Sequence, residues 1–175
     1  MKIDIGCGPN KREGFVGLDQ YAFPCVDHVV NLGTDPLPFA DDSVTEAYAS
    51  HFVEHLTAEQ RCQLFNELYR VMKPEAQMTM IVPSWSSCRA YGDPTHKWPP
   101  IGGFFFFYLN REWRDLNAPH TDKKHWLEGY DCHFIATWGG SINPAFQTRS
   151  SDFQQFAMVN YIEGLQDIHA TLIRK

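Results

Sequence analysis

The sequence of 175 residues predicts an α/β fold with a mostly parallel β-sheet, and two observations carry this prediction. Five short apolar runs precede residue 84, and their length matches that of buried strands. One strongly marked helix lies between the fourth and the fifth run. A strand–helix–strand unit places its two strands in parallel, so we expect the runs to share one sheet.

The five runs are separated by turn residues, and each is long enough for one short strand. They cover residues 2–5, 15–19, 26–30, 44–50 and 78–82. Only six residues separate Gly8 from Phe15. A crossover helix needs roughly ten or more residues, so we expect a loop or a single turn at this connection.

The helix is predicted over residues 58–72. Thr57 is a favourable N-cap residue, and Gln60 three positions later completes a capping box. Pro74 marks the end of the helix. Apolar side chains recur at helical spacing between these signals, at Leu64, Phe65, Leu68, Tyr69 and Met72.

The C-terminal region predicts a last strand around residues 168–173, because Ile168, Ala170 and Leu172 occupy alternate positions. Residues 153–162 fit a helix about as well as a strand. We favour a strand there, paired as a hairpin with the last one.

Composition and charge exclude several classes of protein. The net charge of −6 argues against extended nucleic-acid binding and against attraction to anionic membranes. The five cysteines are scattered and form no CxxC pair, which is typical of a reducing compartment. We find no signal peptide and no apolar stretch near the ~20 residues of a membrane span. We therefore expect a cytoplasmic protein of one domain, residues 1–175.

The end of the first strand carries the first chemical signal, in Asp4-Ile5-Gly6-Cys7-Gly8. A glycine turn at this place lets a ligand approach the backbone, and Asp19 at the end of the next strand can accept hydrogen bonds from ribose hydroxyls. The third glycine of a dinucleotide fingerprint is absent, which argues against NAD. The alternative is a tight turn that binds no ligand.

Five blocks of the sequence resemble, in order and spacing, the small class I methyltransferases that use S-adenosylmethionine. The resemblance spans residues 2–83 and is weaker over 167–175. It implies a Rossmann-like fold with an antiparallel C-terminal strand. This sequence departs from the family in its trimmed helices, because the helix before the first strand is absent and those after the first and second strands are missing or shrunken. The blocks are Asp4 to Gly8, Val16 to Asp19, Pro36 to Val44, Ser50 to Leu56 and Tyr69 to Pro74.

The resemblance implies S-adenosylmethionine as the cofactor and assigns residues to it. Gly6 and Gly8 would pass beside its methionine part, Asp19 would hold its ribose, and Ser50 and His51 would border its methyl group. The residues expected around the cofactor are Asp4, Gly6, Cys7, Gly8, Asp19, Gln20, Asn31, Leu32, Ser50 and His51.

The acceptor side is expected to involve residues 84–150, which match nothing in the family and which we predict to form a lid or substrate segment. The aromatic loop over residues 84–109 would cover the methyl group, with Asp93 and Trp98 beside the acceptor. Glu54 and His55 are placed on the same side. His51 and His96 are the candidate bases, because a histidine titrates near neutral pH.

Two alternatives stay open. His51, Glu54 and His55 match H-x-x-E-H, a zinc-hydrolase motif, although the methyltransferase block already explains these residues and we expect no bound metal. The trimmed helices also fit a methyltransferase-like module that binds without turnover. The resemblance favours an active enzyme acting on a small or sugar-like acceptor, with a homo-oligomer as a possible assembly.

Overall fold

The computed structural model describes residues 1–118 and 129–175. In these residues seven strands form one sheet in the order β3-β2-β1-β4-β5-β7-β6. The strands are β1 Lys2–Ile5, β2 Val16–Asp19, β3 His28–Val29, β4 Val44–Ser50, β5 Met72–Pro83, β6 Phe134–Ile142 and β7 Leu165–Arg174.

The first five strands run parallel, and β7 and β6 are antiparallel to their neighbours. The predicted α/β class, the mostly parallel sheet and the antiparallel C-terminal strand are therefore confirmed. The helices are α1 Ala58–Val71, α2 Arg89–Gly92, α3 Gly103–Tyr108, α4 Arg111–Asn117 and α5 Ser151–Asn160, with 3₁₀ turns at Val53–His55 and Pro144–Phe146.

The helix α1 begins where the sequence predicts, because both hydrogen bonds of the capping box form between Thr57 and Gln60. Its buried side chains include Leu64, Phe65 and Leu68, which are part of the hydrophobic core. The helix ends at Val71, and β5 follows without a loop.

The sheet is covered well on only one face. One row of paired residues, Ile3, Ala47, Met78 and Leu172, is fully buried. The connections between β1, β2, β3 and β4 contain no helix, so the other face lacks the usual covering layer. Its residues Thr79 and Thr137 are exposed, in keeping with the alternation of buried and exposed positions along these strands.

The structure corrects the expected strand at residues 153–162. This segment forms the helix α5, and Oγ of Ser150 accepts a hydrogen bond from the backbone amide of Phe153, which caps the helix. The hairpin partner of β7 is β6, from the segment that was expected to form a lid. No helix among residues 1–118 and 129–175 is long and apolar enough to cross a membrane.

Candidate active site

A cleft of about 660 Å³ opens at the carboxyl ends of the first parallel strands. Clefts of this size are typical of sites for small molecules, and this edge of an open parallel sheet is where such sites lie. The turns that follow β1, β2 and β4 supply its walls. The lining residues are Gly6, Gly8, Pro9, Asp19, Gln20, Tyr21, Phe23, Asn31, Leu32, Thr34, His51, Phe52, His55, Leu56, Gln60, Thr95 and Lys97.

The glycine turn after β1 has a left-handed backbone at both glycines, with φ of 65° at Gly6 and 53° at Gly8. A Cβ atom at Gly6 would lie 2.2 Å from the ring of Phe52, so this glycine is required for packing. A Cβ at Gly8 would meet no atom within 4 Å. Gly8 therefore presents bare backbone to open space in the cleft.

Asp19 stands at the end of β2 and is 7% exposed. Its Oδ2 accepts a hydrogen bond from the amide of Gly8 at 2.9 Å, and its Oδ1 accepts one from the amide of Tyr21 at 2.9 Å. A carboxylate oxygen has two lone-pair sites, so each oxygen retains capacity for one further donor. The carboxylate can bind two vicinal hydroxyls while it fixes the turns on both sides.

An apolar wall lies farther along the cleft. Leu32 is 4% exposed there, and Leu56 is 6% exposed. The neighbouring Asn31 is oriented by Asp35, whose Oδ2 accepts hydrogen bonds from the backbone and side-chain nitrogens of Asn31. Such a combination of apolar and amide groups suits a planar aromatic base.

His51 follows β4 directly and borders the cleft. Its backbone adopts φ of 52°, an uncommon conformation for a residue with a side chain, and its amide donates to the carbonyl of Ile81 at 2.9 Å. Its Nδ1 lies 3.4 Å from Oε1 of Glu54. This contact raises the pKa of His51, although burial acts in the opposite direction.

The loop after β5 reaches the cleft through Thr95 and Lys97. Arg61 holds this loop in place: its guanidinium donates to the carbonyls of Pro99 at 2.6 Å, Lys97 at 3.2 Å and Val53 at 3.1 Å. Arg61 is 4% exposed, and burial lowers its pKa. The side chain thus joins the start of α1 to two separate segments at the rim of the cleft.

The structure brings together most residues expected around the cofactor. Seven of the ten line the cleft, namely Gly6, Gly8, Asp19, Gln20, Asn31, Leu32 and His51. Asp4, Cys7 and Ser50 do not line it. Asp4 instead accepts a hydrogen bond from the amide of Arg12 at 2.7 Å, and burial raises its pKa. Burial also raises the pKa of Cys7 to about 11, so this thiol is a poor nucleophile.

The residues expected on the acceptor side are spread more widely. His55 lines the cleft, whereas Glu54 is buried behind it. Trp98 is 78% exposed and lies outside the cleft lining, as does Asp93. His96 is flanked by lining residues, but its ring packs on His55 at 4.7 Å between centroids, and its Nδ1 lies 3.2 Å from the carbonyl oxygen of Ala90.

Several lining residues carry no sequence signal of their own. Phe52, Leu56 and Gln60 resemble ordinary core or helix residues in the sequence, and only the fold turns them toward the cleft. Tyr21 and Phe23 follow Asp19 closely, so their position after the acidic residue of β2 could have indicated them.

The zinc-hydrolase arrangement of H-x-x-E-H is absent. That motif needs both histidines on one face of an α-helix. Here His51 has a left-handed backbone, and the 3₁₀ turn Val53–His55 separates it from α1.

Part of the chain also matches a known protein family in sequence. Residues 10–80, which begin just after the glycine turn and run through β2, β3, β4 and α1 into β5, match the family described as a methyltransferase domain. The match covers less than half of the chain, so the chain is similar to this methyltransferase family over its N-terminal part. No curated protein matches the chain.

Solved structures with this methyltransferase fold align over 99% of the chain. A methyltransferase from Archaeoglobus fulgidus, described as dependent on S-adenosylmethionine, is 22% identical, with a TM-score of 0.64 over 85% of its own chain. Another from Mesorhizobium loti is 14% identical, with a TM-score of 0.52 over 90% of its chain. Geranyl diphosphate C-methyltransferase from Streptomyces coelicolor A3(2), in complex with Mg²⁺, geranyl diphosphate and S-adenosyl-L-homocysteine, is 16% identical, with a TM-score of 0.53 over 70% of its chain.

The cleft fits S-adenosylmethionine, on which the structures from Archaeoglobus fulgidus and Mesorhizobium loti are described as dependent. The open space above Gly8 admits a ligand against the backbone. The two oxygens of Asp19 match the two hydroxyls of a ribose. The apolar wall at Leu32 suits the adenine ring.

Proposed function

We propose that the protein transfers the methyl group of S-adenosylmethionine to an oxygen or nitrogen atom of a small, sugar-like acceptor. The observation that carries this proposal is that Gly8, Asp19 and His51 line one and the same cleft. The first two residues would hold the nucleoside. His51 would border the reacting methyl group.

Within this proposal Asp19 binds the ribose hydroxyls, Gly6 and Gly8 lie along the methionine part, and Asn31 and Leu32 contact the adenine. Gln20 lies beside the ribose. When bound, the cofactor supplies an activated methyl group, whose bond to sulfur breaks with the electron pair left on sulfur while the bond to the acceptor forms. The protein then has to align the reactants and exclude water.

The acceptor would meet the wall formed by His51, His55, Thr95 and Lys97. This wall is polar, and its groups can donate and accept hydrogen bonds, which supports a polar acceptor over a hydrocarbon chain. His51 is placed to hydrogen-bond the attacking hydroxyl or amine and to accept its proton as the methyl group is transferred. The net charge of −6 argues against an extended nucleic-acid substrate.

We also propose that residues 1–175 form one domain in the cytoplasm. Strands β6 and β7 complete the sheet that begins with β1, which supports one domain. All five cysteines are free, which supports a reducing compartment. Phe156 and Val159 on α5 are exposed apolar side chains, and such side chains on one helix support a homo-oligomer.

The function is tested by following S-adenosylhomocysteine formation from S-adenosylmethionine labelled on its methyl group, with fractions of a small-metabolite extract as acceptors. We expect label in a small polar product and equimolar S-adenosylhomocysteine. Asp19→Ala should abolish both signals at low cofactor concentration. Tight cofactor binding without any product in all fractions would instead support the module that binds without turnover.

A further inference from the structure

A cluster of side chains of the kinds that bind metals lies at the wall of the cleft. One ligand atom from each of Glu54, His55 and His96 can be chosen so that all three lie within 4.8 Å of one another. His55 lines the cleft itself, and His96 is brought to it by the loop after β5. The cluster is separate from the ribose-binding carboxylate of Asp19.

Glu54 is buried in a way that points to a missing partner. The residue is 3% exposed, and neither carboxylate oxygen has a hydrogen-bond partner among the described residues. Nδ1 of His51 lies 3.4 Å from Oε1, which is long for a hydrogen bond. The guanidinium of Arg61 points to the backbone carbonyl of Glu54, at 3.4 Å, and to other carbonyls. A buried carboxylate with so little compensation is costly unless a cation neutralises it.

The two histidines are held so that each has one nitrogen available to a metal. The hydroxyl of Thr95 donates to Oδ1 of Asp93 at 2.6 Å, so the same hydroxyl must accept the proton of Nδ1 of His55 at 2.9 Å. Nδ1 of His96 faces the carbonyl oxygen of Ala90 at 3.2 Å and must donate to it. In the neutral form of each imidazole the proton is therefore on Nδ1, and Nε2 has a lone pair for a metal; Nε2 of His96 lies 3.8 Å from Oδ2 of Asp93. Outer hydrogen bonds of this kind fix metal-binding histidines.

We propose that Glu54, His55 and His96 bind a divalent transition-metal ion, with Zn²⁺ the best match. Two imidazole nitrogens and one carboxylate oxygen form a common three-residue set for a zinc ion with an open position. Ligand atoms on one tetrahedral zinc ion lie about 3.3 Å apart, so the side chains would close by up to about 1.5 Å. This proposal replaces the expectation from sequence that no metal is bound. The H-x-x-E-H motif would use His51 and His55 as its two histidine ligands, whereas the proposed site uses His55 and His96.

The metal ion would act at the acceptor side of the cleft. This role, unlike the binding site itself, rests on the proposed function. A divalent ion lowers the pKa of a hydroxyl group that it binds. Bound beside His55, it would favour acceptors with an oxygen ligand and would ease loss of the hydroxyl proton.

The experiment is a calorimetric titration of Zn²⁺ into the chelator-treated protein in the absence of S-adenosylmethionine. We expect one equivalent of Zn²⁺ to bind and to raise the melting temperature. Loss of a residue that only hydrogen-bonds a metal ligand weakens metal binding by roughly 10–100-fold. We expect an effect at least this large when a ligand itself is changed, in Glu54→Gln, His55→Ala and His96→Ala. His169→Ala is the matched control, because His169 is an exposed histidine bonded to Ser141 on the sheet. It should bind Zn²⁺ like the parent.

Glu54→Gln gives a second readout that does not depend on affinity. Without metal this variant should melt at a higher temperature than the parent, because it removes an uncompensated buried charge. It should also lose the increase in melting temperature caused by Zn²⁺. Absence of Zn²⁺ binding to the parent, equal binding by the three variants, or a lower melting temperature of metal-free Glu54→Gln would overturn the proposal. S-adenosylhomocysteine binding, measured separately, would show whether the proposed function fails as well.

Discussion

The backbone amide of Gly8 donates a hydrogen bond of 2.9 Å to Oδ2 of Asp19, and this contact joins the turns after β1 and β2. The same carboxylate holds the amide of Tyr21 at 2.9 Å. Asp19 thus shapes the cleft while it keeps lone pairs for a ligand. Removal of its carboxylate should affect both the glycine turn and the bound ribose.

The two glycines of the turn should respond differently to alanine. Gly6→Ala should destabilise the protein by at least about 2 kcal/mol, because it adds a clash with Phe52 to the strain of a left-handed backbone. Gly8→Ala should cost only about 1–2 kcal/mol, since its methyl group points into open space. Gly8→Ala should nevertheless weaken cofactor binding. Urea unfolding and calorimetry test the pair, and equal destabilisation of both variants would contradict the assignment.

Arg61→Ala should detach the loop after β5. The change leaves the carbonyls of Val53, Lys97 and Pro99 without their donor, so we expect a loss of at least about 3 kcal/mol. Trypsin should then cleave faster after Lys97. Arg61→Lys keeps the charge but lacks the planar set of donors, and it should restore little of the protection. Unchanged cleavage in Arg61→Ala would show that the loop is held by other contacts.

Stability should fall at low pH through Glu67. Its pKa is lowered chiefly by hydrogen bonds from Arg70, and its Oε2 accepts one from the amide of Leu37 at 2.7 Å. A folded-state pKa below the ordinary value of 4.5 contributes stability above that value, and the contribution disappears as the pH falls through the folded-state pKa. The difference in unfolding free energy between parent and Glu67→Gln should thus be constant near neutral pH and shrink below about pH 4.5.

The exposed Glu13 provides the control, because Glu13→Gln should differ little from the parent at any pH. A difference between parent and Glu67→Gln that persists at low pH would mean that the charge of Glu67 is not what stabilises the contact.

His51→Ala should slow methyl transfer by roughly 10²–10⁴ if the imidazole assists the attacking group, with S-adenosylhomocysteine affinity nearly unchanged. His96 was the other candidate base, and its ring contacts His55 and Ala90 beside the cleft. Assays with and without added Zn²⁺ distinguish the role of His51 from that of His96. Loss of rate in His96→Ala should accompany loss of bound metal, whereas His51→Ala should keep its metal. Full turnover in His51→Ala would remove it from the mechanism.

Local signals explain why parts of the fold could be predicted from sequence. Both halves of the capping box at Thr57 and Gln60 lie within one turn, so α1 could be placed closely. β6 was missed because Gly139 and Gly140 argue against a strand. Gly140 is needed because a Cβ there would lie 2.5 Å from the backbone oxygen of Asp167 on β7. Such a requirement comes from the tertiary structure.

The residues of the site fall into the same two groups, those that local sequence signals indicate and those that only the tertiary structure brings together. Gly8 lies in the turn after β1 and Asp19 is the last residue of β2, so the order of strands and turns predicts that they meet. The contact between His55 and His96 joins residues 41 positions apart through an irregular loop, and no periodicity indicates it. The burial of Glu54 was equally hidden, because its motif suggests an accessible acid. The roles assigned to these side chains stay predictions.

S-adenosylhomocysteine binding to the parent, Asp19→Ala and Asp152→Ala, measured by calorimetry, tests the central claim most directly. Asp152 is an exposed acid on α5, away from the cleft, and its removal changes the net charge equally. Each hydrogen bond to a charged group contributes roughly 1.5–3 kcal/mol, so Asp19→Ala should bind at least about 10-fold more weakly than the parent. Asp152→Ala should bind like the parent. Equal affinity of Asp19→Ala and the parent would contradict the site.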